Sequence, residues 1–269
     1  MDALRWHARP TPPLRPFIDR YWGWEGVACL PQCVLPGTGA ECLFHYAKPF
    51  VLNREAAPQA ALLSPRAHPV AIAASGRIGF VAVRFRSGRL RHLCARPLAD
   101  LHDQAWPVEA IWGDAAARLT DELGACGGNT ARIAALNVFF LKQLARHEES
   151  CSGAFDKLLD QLYYAPGTAV EQLTAQSGWT RRHFLRKFSK YYGLNPKRFA
   201  RLARLNHTMR LLALDPGATA LDAALRMGYY DQAHFIHETR ALTSETPQTI
   251  LGWLRGKSHF YNPPSRPIA

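Results

Sequence analysis

Between Gln172 and Leu214 the chain places ten Lys and Arg side chains and no Asp or Glu: Arg181, Arg182, Arg186, Lys187, Lys190, Lys197, Arg198, Arg201, Arg204 and Arg210. A solvated helix face normally mixes signs, because opposite charges at i and i+4 stabilise it. A stretch of 43 residues without an acid suits another task, the neutralisation of phosphates. Arginine adds a second capacity. Its guanidinium donates a bidentate pair to guanine O6 and N7, whereas Lys more often meets the phosphate backbone.

The elements that must present these cations are legible as a repeat. Gly178-Trp179-Thr180, then His183-Phe184, then Asn195-Pro196 recur as Gly228-Tyr229-Tyr230, His234-Phe235 and Thr246-Pro247, at an offset of 50 residues that becomes 51. An ordered recurrence of this kind marks a duplicated unit. In the first copy Val170 and Leu173 give one apolar face, Gly178 ends that helix, and Thr180 caps a second helix with Phe184, Leu185 and Phe188 turned inward. This is a helix-turn-helix pattern, whose second helix enters the DNA major groove. Arg181, Arg182 and Arg186 are then candidates for base contacts, and Lys187 and Lys190 for phosphate contacts. A third helical pattern, Lys197 to Leu214, carries Phe199, Leu202, Leu205, Met209 and Leu212 at spacings of three and four. At ~1.5 Å per residue it makes a rod of ~27 Å, fit to hold two recognition helices about one DNA turn apart.

These residues resemble the AraC/XylS family of bacterial transcription regulators. Trp179-Thr180-Arg181-Arg182-His183-Phe184 and Gly193-Leu194-Asn195-Pro196 are similar to the family's first unit, and Gly228 through Phe235 to its second-unit signature. The resemblance implies two helix-turn-helix units joined by a linker helix, over about Phe155 to Ile250. It implies double-stranded DNA as partner, with RNA polymerase, a small-molecule effector and a weak homodimer as further candidates. Candidate DNA contacts in the first unit and linker are Thr180, Arg181, Arg182, His183, Arg186, Lys187, Lys190, Lys197, Arg198 and Arg201. In the second unit they are Tyr230, Asp231, Gln232, His234, His237 and Arg240. The second unit departs from the family at Thr239, usually aromatic, at Ser244, usually Gly, at Glu245, usually apolar, at His237, usually Arg, and at Ala223, usually a larger aliphatic. It is expected to be loosely packed and to position more than it reads.

The fold class expected is α+β: a β-rich first domain over 1–150 with trailing helices, an all-α domain over 151–255, and a tail over 256–269. The net charge of +12 is unevenly divided, with 17 basic and 13 acidic groups up to Cys151 and 16 against 8 beyond it. Short apolar runs at Cys33–Leu35, Cys42–Tyr46, Phe50–Leu52, Ala60–Leu63, Val70–Ala73 and Ile78–Phe85 read as strands. Leu119–Leu123 and Ile133–Ala145 read as helices parted by glycines. The stripe Ile133, Leu136, Phe139, Phe140 and Leu144 is suited either to the β body or to a twin helix. Trp6, Trp22, Trp24, Trp106 and Trp112 suit either an aromatic pocket or core filling.

The six cysteines, Cys29, Cys33, Cys42, Cys94, Cys126 and Cys151, are scattered and are expected to be reduced thiols. Neither a metal site nor a cofactor is expected, because neither the cysteines nor His45, His68, His92 and His102 show ligand spacing. No P-loop, GxSxG, HExxH or GxGxxG is present, so no enzyme is expected. Without an apolar run long enough for a membrane helix or a secretory pattern in Met1–Arg20, the expected location is the cytoplasm, away from membranes. Two readings of the first half stay open. It binds an effector that shifts the DNA-binding half between states, or it serves dimerisation or protein docking alone.

Overall fold

A computed structural model describes residues 4–27, 33–74, 76–147 and 153–254. The expected boundary at 150/151, the tail 256–269, Cys29 and Cys151 lie outside these residues. Among the described residues no helix is long and apolar enough to cross a membrane.

Ten strands precede three helices in the first half. The strands are β1 (Leu4–Ala8), β2 (Ile18–Val27), β3 (Cys33–Val34), β4 (Glu41–His45), β5 (Val51–Leu52), β6 (Glu55–Ala56), β7 (Ala60–Leu63), β8 (Val70–Ala73), β9 (Arg77–Phe85) and β10 (Ala105–Pro107). They form two antiparallel sheets, of order β1-β2-β9-β4-β7-β10 and β3-β8-β5-β6. The helices are α1 (Glu109–Trp112), α2 (Asp114–Ala125) and α3 (Asn129–His147).

The larger sheet is buried on both faces, and the two-residue side-chain period sorts its residues between two cores. Tyr21, Cys42, Phe44, Val81, Val83 and Phe85 face α2 and α3. Their alternates Trp22, Trp24, Leu43, Phe80 and Ala82 face the smaller sheet, with Phe50, Leu52 and Ile72. Trp22 and Trp24 are thus core, while Trp6, Trp106 and Trp112 pack on the helix-side core. The stripe on α3 is likewise spent within its own half: Leu136, Phe139 and Phe140 are buried in the helix-side core and Ile133 and Leu144 pack against it.

The second half is all helical: α4 (Gly153–Tyr164), α5 (Val170–Ser177), α6 (Arg181–Tyr192), α7 (Pro196–Leu214), α8 (Ala220–Arg226), α9 (Gln232–Thr243) and α10 (Pro247–Leu254). Thr180, Asn195, Thr219 and Asp231 cap α6 to α9, each accepting from a backbone N–H three residues on. The first unit closes on an aromatic cluster in which Phe155 stacks on Tyr192 at 5.5 Å and meets Phe184 and Phe188 edge-on. The second unit is packed rather than loose. Ala223, Phe235 and Thr239 are fully buried, with Leu242 and Ile250 beside them.

The halves interlock through several contacts. Arg89, Arg91 and His92, in a 3-10 turn after β9, converge on Asp156 of α4, with His92 Nε2 at 2.9 Å from Oδ2. Arg89 also reaches Asp160 at 2.6 Å. Asn206 of α7 donates to the Pro36 carbonyl at 2.9 Å. Tyr192, at the end of α6, lies so close to Gly88 that a Cβ there would fall 2.2 Å from its Cε1; Gly88 also has φ +71°. Glycine is required on both counts.

Two predictions follow from this packing. Burial first, then the charges of Arg91 and Arg89, hold the His92 pKa down to about 3. The unfolded histidine titrates near ~6.5, so between these values the unfolded chain binds a proton that the folded chain does not. Stability from this site is complete above the unfolded pKa and falls as pH drops toward the folded one. The thermal midpoint should therefore rise from pH 4.5 to 7.5, and His92→Gln should flatten that rise. In the second unit, the Thr239 hydroxyl finds no hydrogen-bond partner among the described residues. Thr239→Val keeps the shape and removes the orphaned group, and should raise the unfolding free energy by roughly 1 kcal/mol in a urea titration.

Candidate nucleic-acid interface

On α6 the apolar stripe Phe184, Phe188 and Tyr192 is buried, and Arg181, Arg182, Arg186 and Lys190 are exposed on the remaining surface. The first turn of α6 holds Arg181 and Arg182 and no acid. A helix N-terminus carries partial positive charge and favours anions. Two arginines there oppose the helix's own field, an arrangement relieved when a phosphate or base acceptor arrives. Arg181 meets Glu171 of α5 at 3.3 Å, but both side chains are mostly exposed, so solvent screens the pair and DNA can displace it. Arg186 Nη2 lies 3.4 Å from His183 Nδ1, and His183 packs edge-on against Trp179 at 5.0 Å. Lys187 turns back into the protein: its Nζ donates to Tyr191 Oη at 3.2 Å and lies over the Trp179 ring. Lys197, at the start of α7, is exposed.

The arginines of α7 point elsewhere. Arg198 Nη2 donates to the Ala67 carbonyl of the first half at 3.1 Å. Arg201 Nε donates to Glu238 Oε2 at 2.9 Å, and Arg204 holds both oxygens of the same carboxylate at 2.9 and 3.0 Å. On α9, Gln232, His237 and Arg240 are exposed, and Tyr230 just before it is 87% exposed. Asp231 is the cap of α9, accepting from His234 N at 2.7 Å. The Tyr230 amide donates to His234 Nδ1 at 3.3 Å. The structure therefore brings together one dense cationic face on α6 and a sparsely charged one on α9.

Sequence reasoning counted Glu238 only as a negative charge on the second recognition helix. Its position three residues after Phe235 and four before Leu242 puts it on the inward stripe, which was the available signal. Asp156 and the Arg89-His92 turn carry no local pattern and become visible only when the halves are apposed.

Between the halves lies a cavity of about 420 Å³. Glu41, Arg84 and Arg86 line it from the sheet side, and Tyr163, His207 and Arg210 from α4 and α7. Arg84 Nε donates to Glu41 Oε1 at 3.1 Å. Burial and the nearby Arg210 lower the His207 pKa, against a hydrogen bond to the Tyr163 carbonyl that raises it. The imidazole is therefore favoured in its neutral form.

Two known families match the chain, one described as a helix-turn-helix domain over residues 173–252 and one as a domain of unknown function (DUF6597) over residues 7–107. The chain is 33% identical over 72 residues to the uncharacterized HTH-type transcriptional regulator YbfI of Bacillus subtilis, a match covering 27% of this chain and 26% of that one. The chain thus spans about a quarter of the length of the curated relative it matches. Among solved structures, a probable AraC family transcriptional regulator from Rhodopseudomonas palustris is 29% identical with a TM-score of 0.33, covering 39% of this chain and 99% of that one. ToxT from Vibrio cholerae is 11% identical with a TM-score of 0.49, covering 95% of this chain and 99% of that one. Residues 173–252, with their two capped helix-turn-helix units on one linker helix, are thus an AraC-type helix-turn-helix domain.

Proposed function

We propose that the protein is a sequence-specific DNA-binding transcription regulator that reads bases chiefly through α6. The observation carrying this reading is the exposed face of Arg181, Arg182, Arg186 and Lys190 on a helix with no acid in its first turn. The second helix of a helix-turn-helix unit lies in the major groove with its N-terminal residues at base edges. Arg182 and Arg186 then reach guanine, and Lys190 and Lys197 reach phosphate. On α9, Gln232, His237 and Arg240 add fewer contacts. The proposal places the protein in the cytoplasm, with RNA polymerase as the transcriptional partner. It includes a weak homodimer, for which the exposed Val138 and Leu141 on the outer face of α3 supply apolar surface.

A second reading, control by a small molecule, is favoured by the cavity between the halves. A ligand there touches β4 and β9 on one side and the linker helix α7 on the other, so its binding energy depends on how the halves sit. Arg210 lines it and has no carboxylate partner among the described residues, which favours an anionic ligand. The alternative is a regulator whose first half serves only dimerisation or docking.

Binding-site selection on random duplexes tests the first reading. Arg182→Ala or Arg186→Ala should erase base preference at one position, a loss of roughly 1–3 kcal/mol of discrimination. Lys190→Ala should weaken all sequences alike. Substituting Gln232 or His237 should change the selected sequence less. If the half-site facing α9 proves as information-rich as the other, the unequal division of labour is wrong. For the second reading, a thermal-shift panel of carboxylates and phosphates should yield stabilising compounds whose effect is lost in Arg210→Gln. A shift that survives Arg210→Gln, or no shift from any compound, refutes an anion site in this cavity.

A further inference from the structure

The buried residues of α9 are Phe235, Glu238, Thr239, Leu242 and Thr243, and one of the five is a carboxylate. Glu238 is only 6% exposed. It is met by two guanidinium groups from a single neighbouring helix: Arg201 through Nε at 2.9 Å, and Arg204 through Nε at 3.2 Å and Nη2 at 2.9 and 3.0 Å. Arg204 extends the clasp to the turn before α9, donating Nη1 to the Gly228 carbonyl at 3.2 Å and lying 4.5 Å from the centre of the Tyr229 ring.

Apolar ridges packed into grooves set a crossing angle with a scatter of about 15–20°. A planar guanidinium fork on a carboxylate is directional, and fixes rotation as well as distance. The apolar contacts here are modest, because Ala223 and Thr239 are small. The charged clasp narrows the orientation further. The other recognition helix is tied to the same rod by a short joint, Gly193-Leu194-Asn195, in which Leu194 is buried and Asn195 caps α7.

We propose that Glu238 is a positioning residue: by engaging Arg201 and Arg204 it locks α9 to α7, so that α6 and α9 present a single spacing and phase to DNA. Its role is distinct from base contact, and it draws two arginines of the basic run away from phosphate. The meaning of the fixed spacing rests on the DNA-binding reading above; the lock itself does not.

The test compares the full chain with Glu238→Gln on duplexes selected by the unaltered protein, then on the same duplexes with one base pair inserted between the half-sites. The insertion displaces the second half-site by ~3.4 Å and turns it by ~34°. The unaltered chain should lose at least ~30-fold in affinity and Glu238→Gln less than about threefold, while both bind a duplex carrying the α6 half-site alone equally well. Arg204→Lys keeps the charge but loses the fork, and should also tolerate the insertion, which a merely electrostatic role would not cause. An equal penalty in the unaltered chain and both variants overturns the proposal, and Arg204→Lys decides alone if Glu238→Gln does not fold. A second readout needs no DNA. Spin labels carried on encoded ketone side chains at Lys190 and Ala241 should give a narrow distance distribution that broadens in either variant. An unchanged width overturns the lock, even for a chain that binds no DNA. A broadened width without DNA binding supports the lock and faults the DNA reading instead.

Discussion

The end of α6 is buried in the seam between the two halves, and the rest of the structure is arranged around that fact. Tyr192 stacks on Phe155 of α4 and presses on Gly88 of the first half, where no side chain fits. Gly193 follows with φ +71°, and a Cβ there would lie 2.8 Å from the Leu98 carbonyl. The opposite end of the same helix carries Arg181 and Arg182 into solvent. The helix proposed to read DNA is thus anchored at its C-terminus by the β-rich half. Asp156, drawing in Arg89, Arg91 and His92, sits beside this contact and holds α4 in register with it. Buried ion clusters contribute little net stability against apolar packing, but removing one partner leaves the others uncompensated. Such a cluster is better suited to fixing an arrangement than to adding stability.

The basic run divides into two populations once its partners are known. Arg181, Arg182, Arg186 and Lys190 on α6, and Lys197, face solvent, where their attraction for polyanions is available, while Lys187 turns back onto Tyr191. The arginines of α7 are committed: Arg198 to Ala67, Arg201 and Arg204 to Glu238, with Arg210 at the cavity. A 43-residue stretch without acids is therefore divided between cations left in solvent, two that pair with Glu238 of the second unit and one that bonds to the first half.

Much of this was legible in the sequence because local rules govern it. Thr180 is the side-chain cap that its type and position imply, and Gly178 ends α5 with φ +68°. The strands at Ala60–Leu63 and Val70–Ala73 have the bounds of their apolar runs. β2 was missed because Asp19, Arg20, Gly23 and Glu25 interrupt its hydrophobic pattern, although pairing with both β1 and β9 buries much of it. The packing of the second unit was misjudged for a related reason. Small Ala223 and Thr239 suggest a depleted core, but Glu238 on the same stripe brings two arginines across from α7, and a long-range ion pair leaves no mark at helical spacing. The cavity is equally non-local, since its lining comes from both halves and includes none of the tryptophans that sequence alone would nominate.

The salt dependence of DNA binding by the full chain tests the central claim most directly. If Arg181, Arg182, Arg186, Lys190 and Lys197 each neutralise a phosphate or displace its counterion, the plot of log K against log salt has a slope of about −4 to −5, at about −0.9 per contact. Replacing the four exposed cations of α6 by Gln should reduce that slope to about −1. A slope near zero in the unaltered chain, or one unchanged by those substitutions, would contradict the assignment of α6 as the DNA-contacting helix.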